Sequence, residues 1–477
     1  MSRPRLDEAC TKIVATVGPA CQEVDQLIDL IEAGADVFRI NGAHGNRESH
    51  ERVLANIREA SAQSGFQAGV LLDLAGPKIR LGQLLEEPLV CDVGMPVRFV
   101  RDATPAAPHE LTSSYKRLID ELSAGDQVML ADGLVTLRVE RVDPDGADCR
   151  VVAGGEIRSR QGINLPGVKL SVSAMRPQDV DNAIWAAESG IDFISLSFVR
   201  SAEDVHSLRN LLSSYECSAM VIAKIEKRES LDHLEAIVDA ADGVMVARGD
   251  LGVEIDVAET PVAQKRIISV CKQKMKPVIV ATQMLESMHH SRRPTRAEAS
   301  DVANAILDGA DACMLSGETA IGDFPVDAVR TMNRIMLSTE RQLLSHNIQD
   351  RRPTNRVHPI TFAVTHAATN VAETIGAKLI VIATQSGNTA WVKSASRSLI
   401  PTLAASKVPE TLRRMNLFWG IKPIGFGSVD DRQKLMVELD QWGRENAGLR
   451  EGDHMVFVTG TGIVKRTHNV VMVHTLE

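Results

Sequence analysis

The sequence predicts an α/β fold: a closed (β/α)8 TIM barrel with an inserted small β-barrel lid domain, followed by a C-terminal open α/β domain. Three observations predict it. Short apolar runs alternate with helical patterns three times before residue 78 and five times after residue 166, and eight such units are the count that closes a barrel. Between the third and fourth units the pattern changes to period two with turn signals. Beyond about residue 344 a linker containing Arg351-Arg-Pro-Thr-Asn leads into a second alternating series. The expected domains are 1–77 plus 166–344 for the barrel, 78–165 for the lid, and 345–477 for the C-terminal domain.

The elements follow in order. Thr11-Lys-Ile-Val-Ala-Thr-Val-Gly18 reads as the first strand, stopped at Gly18-Pro19. Leu27, Ile28, Leu30 and Ile31 mark the helix after it. Val37-Phe-Arg-Ile-Asn-Gly42 is the second strand. Gly69-Val-Leu-Leu-Asp-Leu-Ala-Gly76 is the third, nearly continuous in apolar residues, as a strand covered on both faces should be. The insertion holds alternating runs such as Pro96-Val-Arg-Phe-Val and Gln127 to Val139, with turns at Asp132-Gly133 and Pro144-Asp145-Gly146. The remaining barrel strands are Phe193 to Phe198, Met220 to Glu226, Gly243 to Asp250, Pro277 to Met284 and Asp311 to Glu318. The C-terminal domain opens with a helix from His366 to Glu373. Its apolar runs are Ala377 to Thr384, Ile400 onward, Asn416 to Pro423, His454 onward and Asn469 onward.

Composition excludes several classes. Among 477 residues, 53 Lys and Arg against 62 Asp and Glu leave a net charge of −9, with no basic block. That argues against nucleic acid or an anionic membrane as partner. No apolar run suits a signal peptide or a membrane span, so a cytoplasmic protein is expected. The seven cysteines are scattered without a Cys-x-x-Cys pair, which predicts reduced thiols rather than disulfides or a zinc site.

The chemistry is expected at the strand ends, where barrels keep it. Lys224 and Glu226 are two apart, so a strand points both to one face. Arg248 and Asp250 repeat the spacing at the end of the next run. Arg39, Asn41, Asp73, Ser197, Thr282 and Glu318 occupy other strand ends, and Arg80 begins the insertion. Glu226 and Asp250 are hard oxygen ligands suited to a divalent ion such as Mg2+ that keeps waters and is shared with substrate phosphate. Arg39, Arg80, Lys224 and Arg248 are cations suited to a phosphoryl group or a carboxylate. Asp250-Leu-Gly-Val suits the start of a short helix whose free N–H groups bind a carboxylate. Thr282 is a hydroxyl placed for proton relay or for simple packing. No nucleophile elbow, Walker loop or kinase glycine loop is present. These residues alone predict a Mg-dependent barrel enzyme acting on a phosphorylated or enolisable acid.

At these residues the chain resembles the pyruvate kinase family. The matching stretches are Thr11-Lys-Ile-Val-Ala-Thr-Val-Gly-Pro19, Met245-Val-Ala-Arg-Gly-Asp-Leu-Gly252 and Ala281-Thr-Gln-Met-Leu-Glu-Ser-Met288, with Arg293 to Glu298, Ser300 to Ala305, Met314 to Ala320 and Asn416 to Pro423. The resemblance implies transfer of the phosphoryl group of phosphoenolpyruvate to ADP, giving pyruvate and ATP, with Mg2+ or Mn2+. It implies that Lys224 neutralises the migrating phosphoryl group, that Glu226 and Asp250 hold the metal, and that Arg39 and Arg80 bind phosphate groups. It places Thr282 beside the enolate carbon and the Gly249 and Asp250 amides at the substrate carboxylate. Thr16, Pro19, Asn41, His44 and Arg80 fall on the nucleotide side, and Asp132 on the lid faces the closed site. A homotetramer is implied by the resemblance alone.

The departures from the family matter as much. Asn41-Gly-Ala-His44 stands where the family has Asn-Phe-Ser-His, and Asp73-Leu-Ala-Gly-Pro-Lys78 where it has Asp-Thr-Lys-Gly-Pro-Glu. Asn41 and Asp73 remain at the monovalent-cation site, but Ala43 and Leu74 carry no oxygen, and Lys78 replaces the acid. This resembles the potassium-independent branch, so activity without K+ is expected. Pro177-Gln178-Asp179 lacks a nucleotide-side lysine, which leaves nucleotide preference open. The effector loop reads Thr384-Gln-Ser-Gly-Asn-Thr-Ala390, keeping Thr384, Ser386, Gly387, Asn388 and Thr389 as a phosphate nest without the usual basic side chains. The later clamp segment, Val458 to Lys465, is short. A sugar-phosphate or nucleotide effector, or none, fits this loop better than a bisphosphate. The rival readings are a catalytically inactive metabolite sensor and another Mg-dependent lyase acting on a pyruvate enolate.

Overall fold

The computed structural model describes residues 8–101, 104–168, 170–343, 359–426, 432–459 and 470–477. The linker at Arg351 and most of the clamp segment, from residue 460 on, lie outside the described residues.

Strands Lys12–Thr16, Val37–Asn41, Gly69–Leu74, Phe193–Leu196, Met220–Ile225, Gly243–Ala247, Val278–Ala281 and Ala312–Leu315 close into an all-parallel barrel, as expected. Lys12 to Ala15 pair with Ala312 to Leu315 to shut the ring. Side chains alternate between two apolar layers, as strand geometry demands. Ile13, Val70, Leu72, Leu74, Val221 and Val244 pack against the outer helices. Val14, Leu71, Met220, Ile222, Met245 and Ile279 fill the barrel's lower interior. That parity puts Thr16, Asp73, Lys224 and Glu226 on the inward rows above this plug.

The barrel floor carries a repeated device. Asp36, Asp192, Asp242 and Asp311 each precede an even-numbered strand. Their carboxylates accept the backbone N–H of Ile13, Val70, Val221 and Val278, all at 2.9 Å. Each also meets a cation: Lys12 at 3.5 Å from Asp36, Arg413 at 2.8 Å from Asp192, Arg209 at 2.9 Å from Asp242, and Arg397 at 2.7 Å from Asp311. Arg397 and Arg413 come from the C-terminal domain, and Lys12 Nζ donates to Ile421 O at 2.7 Å. Leu412, Met415, Phe418 and Ile421 complete the apolar contact. The floor is therefore capped, and the opposite mouth is left for chemistry.

The insertion leaves the barrel after Leu74 and returns before helix Pro177–Glu188. Its strands form a six-stranded sheet and a two-stranded one around a shared core of Phe99, Leu111, Val128, Leu130 and Leu137. One helical turn, Leu118–Glu121, interrupts the expected all-β pattern. The run from Gln127 to Val139 splits at Asp132-Gly133, where Ala131 and Asp132 adopt φ of 51° and 53°. Three more residues with positive φ lie at the barrel mouth: Phe198 at 55°, Thr282 at 69° and Gln283 at 54°.

The C-terminal sheet runs Ile421–Gly425, Thr402–Ser406, Leu379–Ala383, His454–Thr459, Val470–Thr475, with only the last strand antiparallel. Two expectations change here. The opening helix is longer than predicted, Pro359–Thr374. Asn416 to Gly420 is not strand: Asn416 ends helix Pro409–Met415 and the strand starts at Ile421. Phe418 and Trp419 are drawn instead into the interdomain contact, where Trp419 Nε1 donates to Thr11 Oγ1 at 3.2 Å.

Candidate active site

Lys224 is the centre of the mouth. Its ammonium donates to Ser197 Oγ at 2.7 Å and lies 2.8 Å from Glu226 Oε1 and 3.3 Å from Asp73. Burial disfavours the charged lysine, but Asp73 and Glu226 outweigh it and hold the group charged above its ordinary range. Asp73 is buried too. Burial opposes its ionisation, yet Lys224, Arg39 and a hydrogen bond from Ser195 Oγ (2.7 Å) keep its carboxyl below the usual range. Arg39 reaches it with both Nε (2.9 Å) and Nη2 (2.7 Å), and Arg39 Nη1 donates to Thr16 Oγ1 at 3.1 Å.

Glu226 is different. It accepts Phe198 N–H at 2.7 Å, but burial pushes its carboxyl up, Lys224 only partly opposes that, and the charge of Asp250 adds to it. A buried carboxylate beside a second carboxylate is under-compensated, and a divalent cation between them is the group that relieves it. Glu226 and Asp250 thus fit a metal completed by substrate oxygens. Among the described residues no cluster of three or more His, Cys, Asp or Glu is arranged to hold a metal without such help.

The expected repetition of Lys224/Glu226 by Arg248/Asp250 fails, for a backbone reason. The sixth strand ends at Ala247 and helix Arg248–Glu254 begins at once. In a helix, residues two apart do not share a face. Continued as a strand, both residues would have followed the outward row of Val244 and Val246. The helix separates them. Asp250 turns to the mouth, while Arg248 turns to Thr282 O at 2.7 Å and Asp301 at 2.5 Å. Arg248 is therefore not a free cation for a phosphoryl group.

Thr282 lies across from that helix. Its Oγ1 accepts Gly249 N–H at 2.8 Å and donates to Ala281 O at 2.6 Å. The Gly249 amide, expected at a substrate carboxylate, is engaged by the Thr282 hydroxyl. Lys78 Nζ stands 3.4 Å from Asp250 Oδ1 and 4.0 Å from Asp132 Oδ1 on the insertion. A cavity of about 770 Å³ opens between these parts, lined by Lys78, Asp132, Arg248, Gly249, Asp250 and Gln283. Its size suits a small ligand, and its lining carries both cations and carboxylates.

Thr16 belongs to the cluster through Arg39, and the other expected residues sit further out. Thr16 Oγ1 donates to Leu315 O at 2.8 Å, so its hydroxyl is already engaged. Pro19 and His44 are exposed, and Asn41 Oδ1 accepts Ala43 N–H at 3.1 Å. Arg80 is exposed and its guanidinium donates to Arg160 O (3.1 Å). Among the described residues it bonds only within the insertion and is not joined to the Lys224 cluster. In the loop expected to take an effector, Gly387 has φ of 83° and donates to Thr384 Oγ1 at 3.0 Å, and helix Asn388–Ala395 starts beside it. Ser386 Oγ accepts Asn388 N–H at 3.5 Å and Thr389 is buried.

Sequence reasoning missed four residues. Ser195 shares the inward row of Ser197, and the alternation Ile-Ser-Leu-Ser carried that signal. Asp301 and the Lys227–Glu254 ion pair, which ties the end of the fifth strand to the helix of Asp250, had no local signal because their partners are distant in sequence.

Comparison with known proteins gives one answer. The profile "Pyruvate kinase, barrel domain" matches residues 9–329 and "Pyruvate kinase, alpha/beta domain" matches 362–474. A pyruvate kinase of Mycobacterium tuberculosis is 41% identical over 472 residues, covering 98% of both chains. One from Geobacillus stearothermophilus is 39% identical over 98% of this chain and 80% of its own. The crystal structure of a pyruvate kinase from Cryptosporidium parvum superposes with a TM-score of 0.91 at 36% identity, covering 99% of this chain and 97% of that one.

Proposed function

The chain belongs to the pyruvate kinase family and is a phosphotransferase, and from that premise we propose that it moves the phosphoryl group of phosphoenolpyruvate to ADP by the following division of labour. Lys224 neutralises the phosphoryl group in transit, because its ammonium is held charged at the centre of the mouth. The enol C–O–P linkage opens at phosphorus, a terminal ADP oxygen takes the phosphoryl group, and the enolate is left to be protonated at carbon. Arg39, locked to Asp73, presents its remaining charge to phosphate oxygens. Arg80 joins them if the insertion swings inward. Thr282 faces the carbon side and helps its protonation. The Gly249 and Asp250 amides take the substrate carboxylate once Thr282 releases Gly249. Thr16, Pro19, Asn41 and His44 border the nucleotide. Glu226 and Asp250 hold Mg2+ or Mn2+, which supplies charge neutralisation to substrate oxygens when bound. The observation that carries this reading is the buried Lys224–Glu226–Asp73 cluster beside Asp250. A lactate dehydrogenase-coupled assay with phosphoenolpyruvate and ADP tests it. NADH oxidation that requires all components is expected, and none with either metal, with or without K+, would sink it.

The same reading includes independence from K+. Three features support it. Ala43 has no side-chain oxygen, Leu74 packs with the outer helices, and Asp73 is saturated by Lys224, Arg39 and Ser195. The ammonium of Lys78 brings a positive charge to Asp250 instead. For the effector loop, Thr384 to Thr389 form a nest for a single phosphate, as on a sugar monophosphate or AMP. A thermal-shift screen with these and with bisphosphates tests that, and no shift for any refutes it.

A further inference from the structure

Thr282 and Gln283 are held in a conformation that costs free energy. A β-branched residue at φ of 69° is a genuine outlier, and it is followed by a second non-glycine residue at 54°. Such strain persists only where surroundings over-determine it. Here the surroundings are two consecutive residues of another element. Arg248 Nη2 donates to Thr282 O at 2.7 Å and to Gln283 O at 3.0 Å, and its Nε reaches Thr282 O at 3.3 Å. Arg248 Nη1 is anchored on Asp301 at 2.5 Å, and the side chain is only 10% exposed. Gly249 N–H takes Thr282 Oγ1 from the other side. The backbone and the hydroxyl of one threonine are thus gripped together at the start of the helix that carries Asp250.

We infer that Arg248 is a positioning residue: it clamps the strained Thr282–Gln283 backbone so that the Thr282 hydroxyl faces the enolate carbon. The inference rests on the proposed role of Thr282. A planar, forked guanidinium can bridge two carbonyls and a carboxylate at once, whereas an ammonium on a flexible stem cannot fix that geometry. Without the clamp the two residues relax toward negative φ and carry the hydroxyl away. Displacements of about 1 Å at a reacting group cost up to about a hundredfold in rate.

The test is Arg248→Lys, which keeps the charge and removes the fork, alongside Thr282→Ala and the double variant. In Arg248→Lys, kcat should fall by about tenfold to a hundredfold while KM for phosphoenolpyruvate moves less than about threefold. Exchange of the pyruvate methyl protons with solvent should fall in parallel. The double variant should be no slower than Thr282→Ala alone, because both changes remove one function. Binding of Mn2+, read by electron paramagnetic resonance, should be unchanged, which separates lost positioning from a disrupted helix at Asp250. Full kcat in Arg248→Lys, additive losses in the double variant, or weakened Mn2+ binding each overturns the clamp. An inactive wild-type protein overturns the proposed function beneath it, a different result from an active wild type with an equally active Arg248→Lys.

Discussion

Lys78 Nζ lies 3.4 Å from Asp250 Oδ1, so an ammonium from the insertion's first residues reaches a carboxylate assigned to the metal. The same nitrogen is 4.0 Å from Asp132 on the insertion's turn. One side chain therefore links the insertion to the barrel mouth, and on the proposed reading its charge stands in for a monovalent cation. Initial rates should differ by less than about tenfold between K+ and a tetraalkylammonium salt, because a larger rescue would mean more than about 1.4 kcal/mol of transition-state stabilisation by the ion. Lys78→Ala should lower kcat/KM by about tenfold or more. Added K+ should not restore it, since Ala43 and Leu74 offer no replacement oxygens. Restoration by K+ would show that the site still binds the ion.

The Lys224–Glu226 pair, at 2.8 Å, separates two roles that sit side by side. Lys224→Met should reduce ATP formation by about a thousandfold, as expected for removal of the main charge facing the phosphoryl group. It should leave metal-dependent enolisation of pyruvate measurable by methyl proton exchange. Asp250→Asn should impair both, because both need the metal. Equal loss of both activities in Lys224→Met would show that the lysine serves enolate chemistry as well.

Much of this was legible in the sequence, for identifiable reasons. The eight strands are short, apolar and bounded by Gly, Pro or charged residues, so their existence and order followed from pattern. Lys224 and Glu226 were legible because a strand fixes their common face. Arg248 was misplaced because the strand-to-helix change at Ala247 leaves no mark in an apolar-then-charged run. Its partners Asp301 and Thr282 are 53 and 34 residues away. The four floor aspartates were present in the text as Ala-Asp or Ile-Asp before alternate strands, a signal visible once the strands are aligned. Glu226 and Asp73 have opposite titration behaviour although both are buried, and only the placement of cations around them decides that.

Asp73 gives a pH signature. Its unfolded reference is 3.8 and its folded value lies below that, because Lys224 and Arg39 outweigh burial. A depressed carboxyl contributes stability that is full above the unfolded value and is lost as pH falls through the folded one. Asp73→Asn removes this contribution and leaves Lys224 and Arg39 without their shared anion, at a cost of about 3 kcal/mol near neutrality. The gap in unfolding free energy between wild type and Asp73→Asn should therefore shrink as pH is lowered below 3.8, and stay constant above about pH 5. A gap that widens in acid would mean that Asp73 is not held ionised by its partners.

Lys393 gives the opposite case, in helix Asn388–Ala395. It is 3% exposed, and its ammonium donates to Ser396 Oγ at 3.4 Å. Burial outweighs the opposing charges of Cys10 and Glu373 and lowers its pKa from 10.5 to about 8. Below about pH 8 the folded chain must carry a buried ammonium, and the penalty is full there. As pH rises from 8 toward 10.5 the folded state has already shed the proton while the unfolded chain still binds it, so the penalty fades. Lys393→Met keeps the stem's packing and removes the charge. It should raise the melting temperature at pH 7, for a gain on the order of 3 kcal/mol at most. The gain should diminish steadily toward pH 10.5. A variant equally stabilised at both ends of that range would assign the effect to packing, and a destabilised one would show that the buried ammonium is satisfied by its surroundings.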